Sequence, residues 1–285
     1  MNEQTSAEQR DLDVGDGLRL HASLAGAGPP LVFLHGFTGS TETWADLWPA
    51  LAVAHRVVAF DLPGHGRSSV PADPRRYSLA RFADDLANAL DQLGLARVAL
   101  LGYSMGGRAA LQFARQYADR VAALVLLSTS SGIREEAKRR ERLASDAVLA
   151  DSIEREGVRA FVDRWEMLPL WESQRVLSAE TRARLRALRL LNDPVGLANS
   201  LRGAGAGIDA ASAIFRRILA PTLILAGALD PAYVEHGRSL EAELPNAHME
   251  VISDAGHAIH LEQSAALVGV TTAFLKAIPC SADGW

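Results

Sequence analysis

Val98-Ala99-Leu100-Leu101-Gly102-Tyr103-Ser104-Met105-Gly106-Gly107-Arg108 reads as an apolar strand running straight into a helix, with a serine at the turn between them. Residues 102–106 have the form G-x-S-x-G. In such an elbow the serine occupies a strained strand-to-helix turn, and small flanking residues let the two arms approach without side-chain overlap. The apolar run before the motif and the helix-compatible Gly107-Arg108-Ala109-Ala110-Leu111-Gln112-Phe113 after it supply the setting the motif requires.

Working outward, Leu31-Val32-Phe33-Leu34, Arg56-Val57-Val58-Ala59-Phe60, Val121 to Leu127, Thr222 to Gly227 and His248 to Ile252 are short, mostly apolar runs. Strands buried on both faces of a parallel sheet have that texture. Gly17 to Leu24 alternates with period two and is expected to be the first, edge strand. Tyr77 to Leu93 has helical spacing, with Leu79, Phe82, Leu86 and Leu90 in one stripe ending at Gly94, and Asp84, Asp85 and Asp91 expected on a solvated face. Strands alternating with helices indicate a mostly parallel α/β sheet flanked by helices.

From Ile133 to Arg217 the texture changes. No strand-like run occurs there, and helical patches such as Ala183 to Leu191 are rich in arginine. The expected organisation is an α/β core of residues 1–132 and 218–285 with a helical cap, 133–217, inserted. The cap segment has 16 Lys and Arg against 13 Asp and Glu, net +3, and the remaining 200 residues are net -8. A basic cap over an acidic core is implied, most of its arginines being solvated.

Composition narrows the function. With 285 residues, 48% hydrophobic, 22% charged and net charge -5, the chain is of ordinary globular type and offers no basic surface for nucleic acid. The single cysteine, Cys280, leaves no internal disulfide and suits a reducing compartment. Met1 to Val14 is polar and reads as neither secretory signal nor anchor, and apolar runs such as Val121 to Leu127 are too short to span a bilayer. A cytoplasmic enzyme without membrane span, metal or organic cofactor is expected. Nothing in the sequence fixes an oligomeric state.

An elbow serine needs a base and an acid, which follow it in the order Ser, Asp or Glu, His. Asp230 lies at the carboxyl end of the Thr222 to Gly227 run, where α/β sheets hold their ligands. His257 follows the last strand, after a glycine. The expected triad is therefore Ser104, Asp230 and His257, with His260 a rival base and Asp254 a turn residue. His35 and Asp61 precede the serine and are expected to brace loops. One oxyanion donor is the amide after the nucleophile, Met105, and the other comes from the loop His35-Gly36-Phe37-Thr38-Gly39-Ser40, at Phe37. Arg108, one helical turn beyond Ser104, puts a fixed cation by the site, which suits a carboxylate-bearing substrate.

Leu34-His35-Gly36-Phe37-Thr38-Gly39-Ser40, Asp61-Leu62-Pro63-Gly64-His65-Gly66-Arg67-Ser68 and Gly102 to Arg108 place the chain in the α/β-hydrolase superfamily. Tyr-Ser-Met-Gly-Gly-Arg narrows the match, as do Phe161-Val162-Asp163-Arg164-Trp165-Glu166, Ala187-Leu188-Arg189 and Gly196-Leu197-Ala198-Asn199-Ser200-Leu201-Arg202-Gly203. With these the sequence resembles the 2-succinyl-6-hydroxy-2,4-cyclohexadiene-1-carboxylate synthases of menaquinone biosynthesis over nearly its whole length, apart from the long polar stretch before Gly17.

The resemblance implies a lyase that removes pyruvate from an enolpyruvyl precursor bearing three carboxylates, by proton abstraction and elimination without water. It implies that Ser104 acts as a base, that Arg108, Arg142 and Arg189 grip the carboxylates of this small tricarboxylate substrate, and that Tyr103 and Trp165 line the pocket. Arg139 and Arg140 stand close to Arg142 and compete for its role. The rival readings are a serine hydrolase of an ester or C–C bond in a small carboxylated substrate and, outside enzymes, an elbow-fold receptor.

Overall fold

The computed structural model describes residues 7–208 and 213–279; Cys280 and part of the 133–217 segment lie outside them. The strands are β1 (Glu8–Asp13), β2 (Arg19–Ala25), β3 (Pro30–Leu34), β4 (Arg56–Phe60), β5 (Val98–Tyr103), β6 (Val121–Leu127), β7 (Thr222–Gly227) and β8 (Ala247–Ile252). Interleaved are helices α1 (Trp48–Leu51), α2 (Leu79–Gln92), α3 (Met105–Gln116), α4 (Glu136–Trp165), α5 (Ala179–Leu190), α6 (Pro194–Ala204), α7 (Pro231–Glu243), α8 (Ile259–Glu262) and α9 (Ser264–Lys276).

The strands form one sheet in the order β1-β2-β4-β3-β5-β6-β7-β8. The β1–β2 and β2–β4 pairs are antiparallel and the others parallel. Continuous apolar runs fit because both faces are covered. Val32, Leu34, Val58, Phe60 and Leu100 pack under α2 and α3, whereas Leu31, Phe33, Val57, Ala59 and Leu101 pack on the opposite face with residues of α8 and α9. Buried apolar side chains of this size contribute about 1.5–3 kcal/mol each, so the central strands carry the stability and their carboxyl ends are free to carry loops.

Two expectations need correction. The edge strand is β1, not the Gly17 to Leu24 stretch, which forms the second strand. Only Leu12 of β1 is buried, and the strand is held by backbone pairing along its length and by Gln9 and Asp11, which hydrogen-bond the buried His21 on β2 at 2.7 Å. Such a polar ladder leaves no hydrophobic period to read. Asp85 is not solvated: it is 4% exposed and takes a bidentate grip from Arg76 at 2.7 and 2.9 Å.

Between β6 and β7 the described residues hold helices and no strand. Helices α4 and α6 share a small apolar core of Ala150, Ile153, Val158, Phe161, Val162, Leu197, Ala198 and Leu201, against which Phe37 of the core also packs. Helix α4 is interrupted at Gly157, whose φ of 83° suits a residue without a Cβ. Among the described residues no helix is long and apolar enough to cross a membrane.

Candidate active site

The turn after β5 shows why the motif needs its glycines. Ser104 has φ 52° and ψ -111°, outside the usual wells of an L-residue. This tight turn drives the arms together: a Cβ on Gly102 would lie 2.5 Å from the Gly106 carbonyl oxygen, and one on Gly106 only 2.0 Å from that of Leu34. The elbow therefore exposes the serine at the carboxyl end of the sheet, at the amino end of α3.

Ser104, His257 and Asp230 meet there from three separate loops. The Nδ1 of His257 lies 2.9 Å from Asp230 Oδ2 and its Nε2 3.2 Å from Ser104 Oγ. With Nδ1–H donating to the carboxylate, Nε2 is left to accept the serine proton. His257 and Asp230 are 2% and 8% exposed, so the pair works away from bulk water. Asp230 also caps α7, accepting the Tyr233 N–H at 3.4 Å, which fixes the carboxylate. His260 is fully buried, with its ring 4.4 Å from that of Tyr103, and does not line the cavity that contains Ser104. Asp254 sits in a turn at φ 55°.

The loop after β3 lies against the elbow, since a Cβ on Gly36 would be 3.3 Å from Ser104 Cβ. Neither the Phe37 nor the Met105 amide donates to an acceptor among the described residues, and Phe37 and Met105 line the cavity with Ser104. His35 braces this loop, its Nδ1–H donating to the Gly36 carbonyl at 2.7 Å and its Nε2 accepting the Leu62 N–H at 3.0 Å. Asp61 ties the neighbouring loops by accepting from the Thr41 and Arg67 amides at 2.6 and 2.7 Å.

Burial holds these histidines neutral and gives a pH prediction. Desolvation lowers His35 from 6.5 to about 3, His65 to about 4 and His260 to about 3. The unfolded chain takes up these protons near pH 6.5, whereas the folded chain resists until far lower pH. Stability is thus full above 6.5 and falls as pH drops through 6.5 toward 4, by up to roughly 1.4 kcal/mol per pH unit for each histidine. Urea midpoints at pH 7, 6 and 5 are expected to decline in that order, in a range where most carboxylates stay ionised; a constant midpoint would contradict it.

A cavity of about 400 Å³ opens on Ser104 and His257. Tyr103, Arg108, Arg142 and Trp165 line it. The Arg108 guanidinium donates to the carbonyls of Ala204 and Gly205 at 2.6 and 3.2 Å, the negative end of α6. Arg142 donates to Asp146 at 2.8 Å and is 44% exposed, so it keeps a face toward the cavity. Arg139 and Arg140 instead pair with Glu136, on the helix surface. Trp165 packs edge-on against Phe37 at 5.6 Å.

Arg189 does not reach this cavity. It is bound to Glu166 at 2.9 Å, and its guanidinium carbon lies 5.4 Å from the Trp171 ring centre. Trp171, in the 3-10 segment Pro169–Val176, lines the Ser104 cavity with its ring 5.6 Å from that of His257 and so separates Arg189 from the serine. The three expected arginines therefore divide, two lining the site and one behind its wall. Trp171 had no signal in the sequence. Tyr233, which also lines the cavity, had a weak one: it is third after Asp230, in the first turn of α7.

Comparison with known proteins agrees with this geometry. A family model described as alpha/beta hydrolase fold matches residues 29–264. The chain is 40% identical, over 94% of its length and 98% of the relative's, to a Bacillus subtilis (strain 168) protein provisionally named 2-succinyl-6-hydroxy-2,4-cyclohexadiene-1-carboxylate synthase. It is 33% identical, over 91% of its length and 99% of the relative's, to the Citrobacter koseri protein bearing that synthase name. Among solved structures it is similar to MenH from S. aureus, with TM-score 0.83 and 33% identity, covering 96% of this chain and 98% of that one.

Proposed function

The chain belongs to the α/β-hydrolase fold family and, within it, to the 2-succinyl-6-hydroxy-2,4-cyclohexadiene-1-carboxylate synthases, and we propose that it is the cytoplasmic lyase that eliminates pyruvate from 2-succinyl-5-enolpyruvyl-6-hydroxy-3-cyclohexene-1-carboxylate in menaquinone biosynthesis. The observation that carries this reading is the presence of two guanidiniums, Arg108 and Arg142, in the cavity that holds the triad. A neutral ester has no use for them, and a substrate with three carboxylates does.

In this reading residues 133–217 form the cap over the site, and Ser104, Asp230 and His257 act as a proton-transfer unit. His257 Nε2 takes the serine proton, and Ser104 Oγ removes a proton from ring carbon. The electron pair released moves through the ring and breaks the bond between ring carbon and the enolpyruvyl oxygen. The departing enolate is protonated on carbon and leaves as pyruvate. A new ring double bond remains, and no water is consumed. The Phe37 and Met105 amides face the charge that builds on the carbonyl oxygen conjugated with the breaking C–H bond. Leu149, Trp165, Leu168, Leu170 and Trp171 give the cavity apolar walls that keep the charged steps away from bulk water.

The same triad suits a serine hydrolase, and comparing two substrates separates the readings. Purified protein is expected to release pyruvate from the enolpyruvyl precursor with kcat/KM at least about 10²-fold above that for p-nitrophenyl acetate, the margin that charged contacts provide. Fast ester turnover without pyruvate would sink the lyase reading.

A further inference from the structure

Tyr233 is an aromatic residue of the cavity that belongs to neither the triad nor the oxyanion hole. Its ring centre lies 4.3 Å from that of His257, closer than those of Tyr103 at 5.3 Å or Trp171 at 5.6 Å. Its backbone is tied to the Asp230 carboxylate, so it is anchored to two members of the triad at once. A phenylalanine would make both contacts. The hydroxyl adds to them a side-chain hydrogen bond with Ser104, and it belongs to a side chain that lines the cavity shared by Ser104, Arg108 and Arg142.

A phenol held this way cannot swing aside without uncovering the catalytic imidazole, so its hydroxyl has a nearly fixed place relative to the reacting oxygen. The surroundings keep it a donor: burial raises its pKa above the ordinary value, and the charges of Arg108 and Arg142 and the hydrogen bond with Ser104 only partly oppose this. At neutral pH a protonated O–H therefore stands near two guanidiniums. A group that accepts hydrogen bonds from all three must be rich in lone pairs and negatively charged, which describes a carboxylate.

We propose that the Tyr233 hydroxyl is a substrate hydrogen-bond donor that, with Arg108 and Arg142, completes a subsite for one carboxylate of the substrate beside Ser104. The two arginines supply charge, and the phenol, held against His257, supplies position. The proposal rests on the anionic-substrate reading above and extends it to a residue outside the elbow and cap motifs.

Tyr233→Phe tests it, because the ring stays against His257 and only the O–H is lost. The kcat/KM for the enolpyruvyl precursor is expected to fall about 10-fold relative to that for p-nitrophenyl acetate, carried by KM, as for loss of one hydrogen bond to a charged group. Wild-type turnover with an unchanged KM in Tyr233→Phe would overturn the proposal alone. Equal loss on both substrates would also overturn it, by showing that the hydroxyl serves the triad's scaffold. A wild-type protein that releases no pyruvate would overturn it together with the reading on which it rests.

Discussion

Replacing Ser104 with alanine is expected to lower pyruvate release by about 10²- to 10⁴-fold, the contribution of a positioned proton acceptor. The size of the loss is informative, because a serine that forms an acyl intermediate contributes on the order of 10⁶-fold. In the lyase reading His257 remains in Ser104→Ala, fixed by Asp230 at 2.9 Å and by three aromatic rings, and a water in the vacated space relays protons poorly but not negligibly. The variant should fold, since alanine at φ 52° is no more strained than serine and the bonds of Oγ, to His257 and Tyr233, join side chains that line the cavity. Pyruvate formation measured beside the urea midpoint checks both points. A loss below about tenfold would remove Ser104 from the reaction.

Arg108→Ala is expected to reduce kcat/KM for the tricarboxylate by about 100-fold, the upper range for a lost charged hydrogen bond in a desolvated site. Turnover of a neutral ester should change far less. The contrast is needed because Arg108 also holds the terminal carbonyls of α6, so some loss comes from a loosened wall rather than a missing charge. Arg108→Lys keeps the charge without the planar fork and should recover only part of the difference. Equal loss on both substrates would confine Arg108 to that structural contact.

The core was legible in the sequence because its determinants are local. An apolar run of five to seven residues is recognisable alone, and the elbow motif contains the glycines whose missing side chains permit the turn. Chain order then pointed to Asp230 and His257, which the fold brings to Ser104, rather than to Asp61 and His35. Strand β1 was not legible, since its partners are backbone atoms and polar side chains of β2. The cap was harder. Nothing local tells that Arg142 faces inward while Arg140 pairs with Glu136; that face is set by Asp146, Ala150 and Ile153, which become recognisable as one stripe only once their burial is known. Arg189 was misplaced for the same reason. Its short motif carries no record of Trp171, which comes from another segment and stands between it and Ser104. Tyr233 went unread because a lone aromatic in a helix's first turn is ordinarily core, and its importance depends on a ring stack with a residue 24 positions away.

The proposed chemistry is tested most directly by incubating the purified protein with 2-succinyl-5-enolpyruvyl-6-hydroxy-3-cyclohexene-1-carboxylate, coupling pyruvate to lactate dehydrogenase and following the ultraviolet absorbance of the conjugated ring. Elimination should yield pyruvate and cyclohexadiene in equal amounts, at a rate lowered by the same factor for both in Ser104→Ala. Pyruvate without the diene would mean hydrolysis of the enol ether, and no pyruvate at all would contradict the assignment outright.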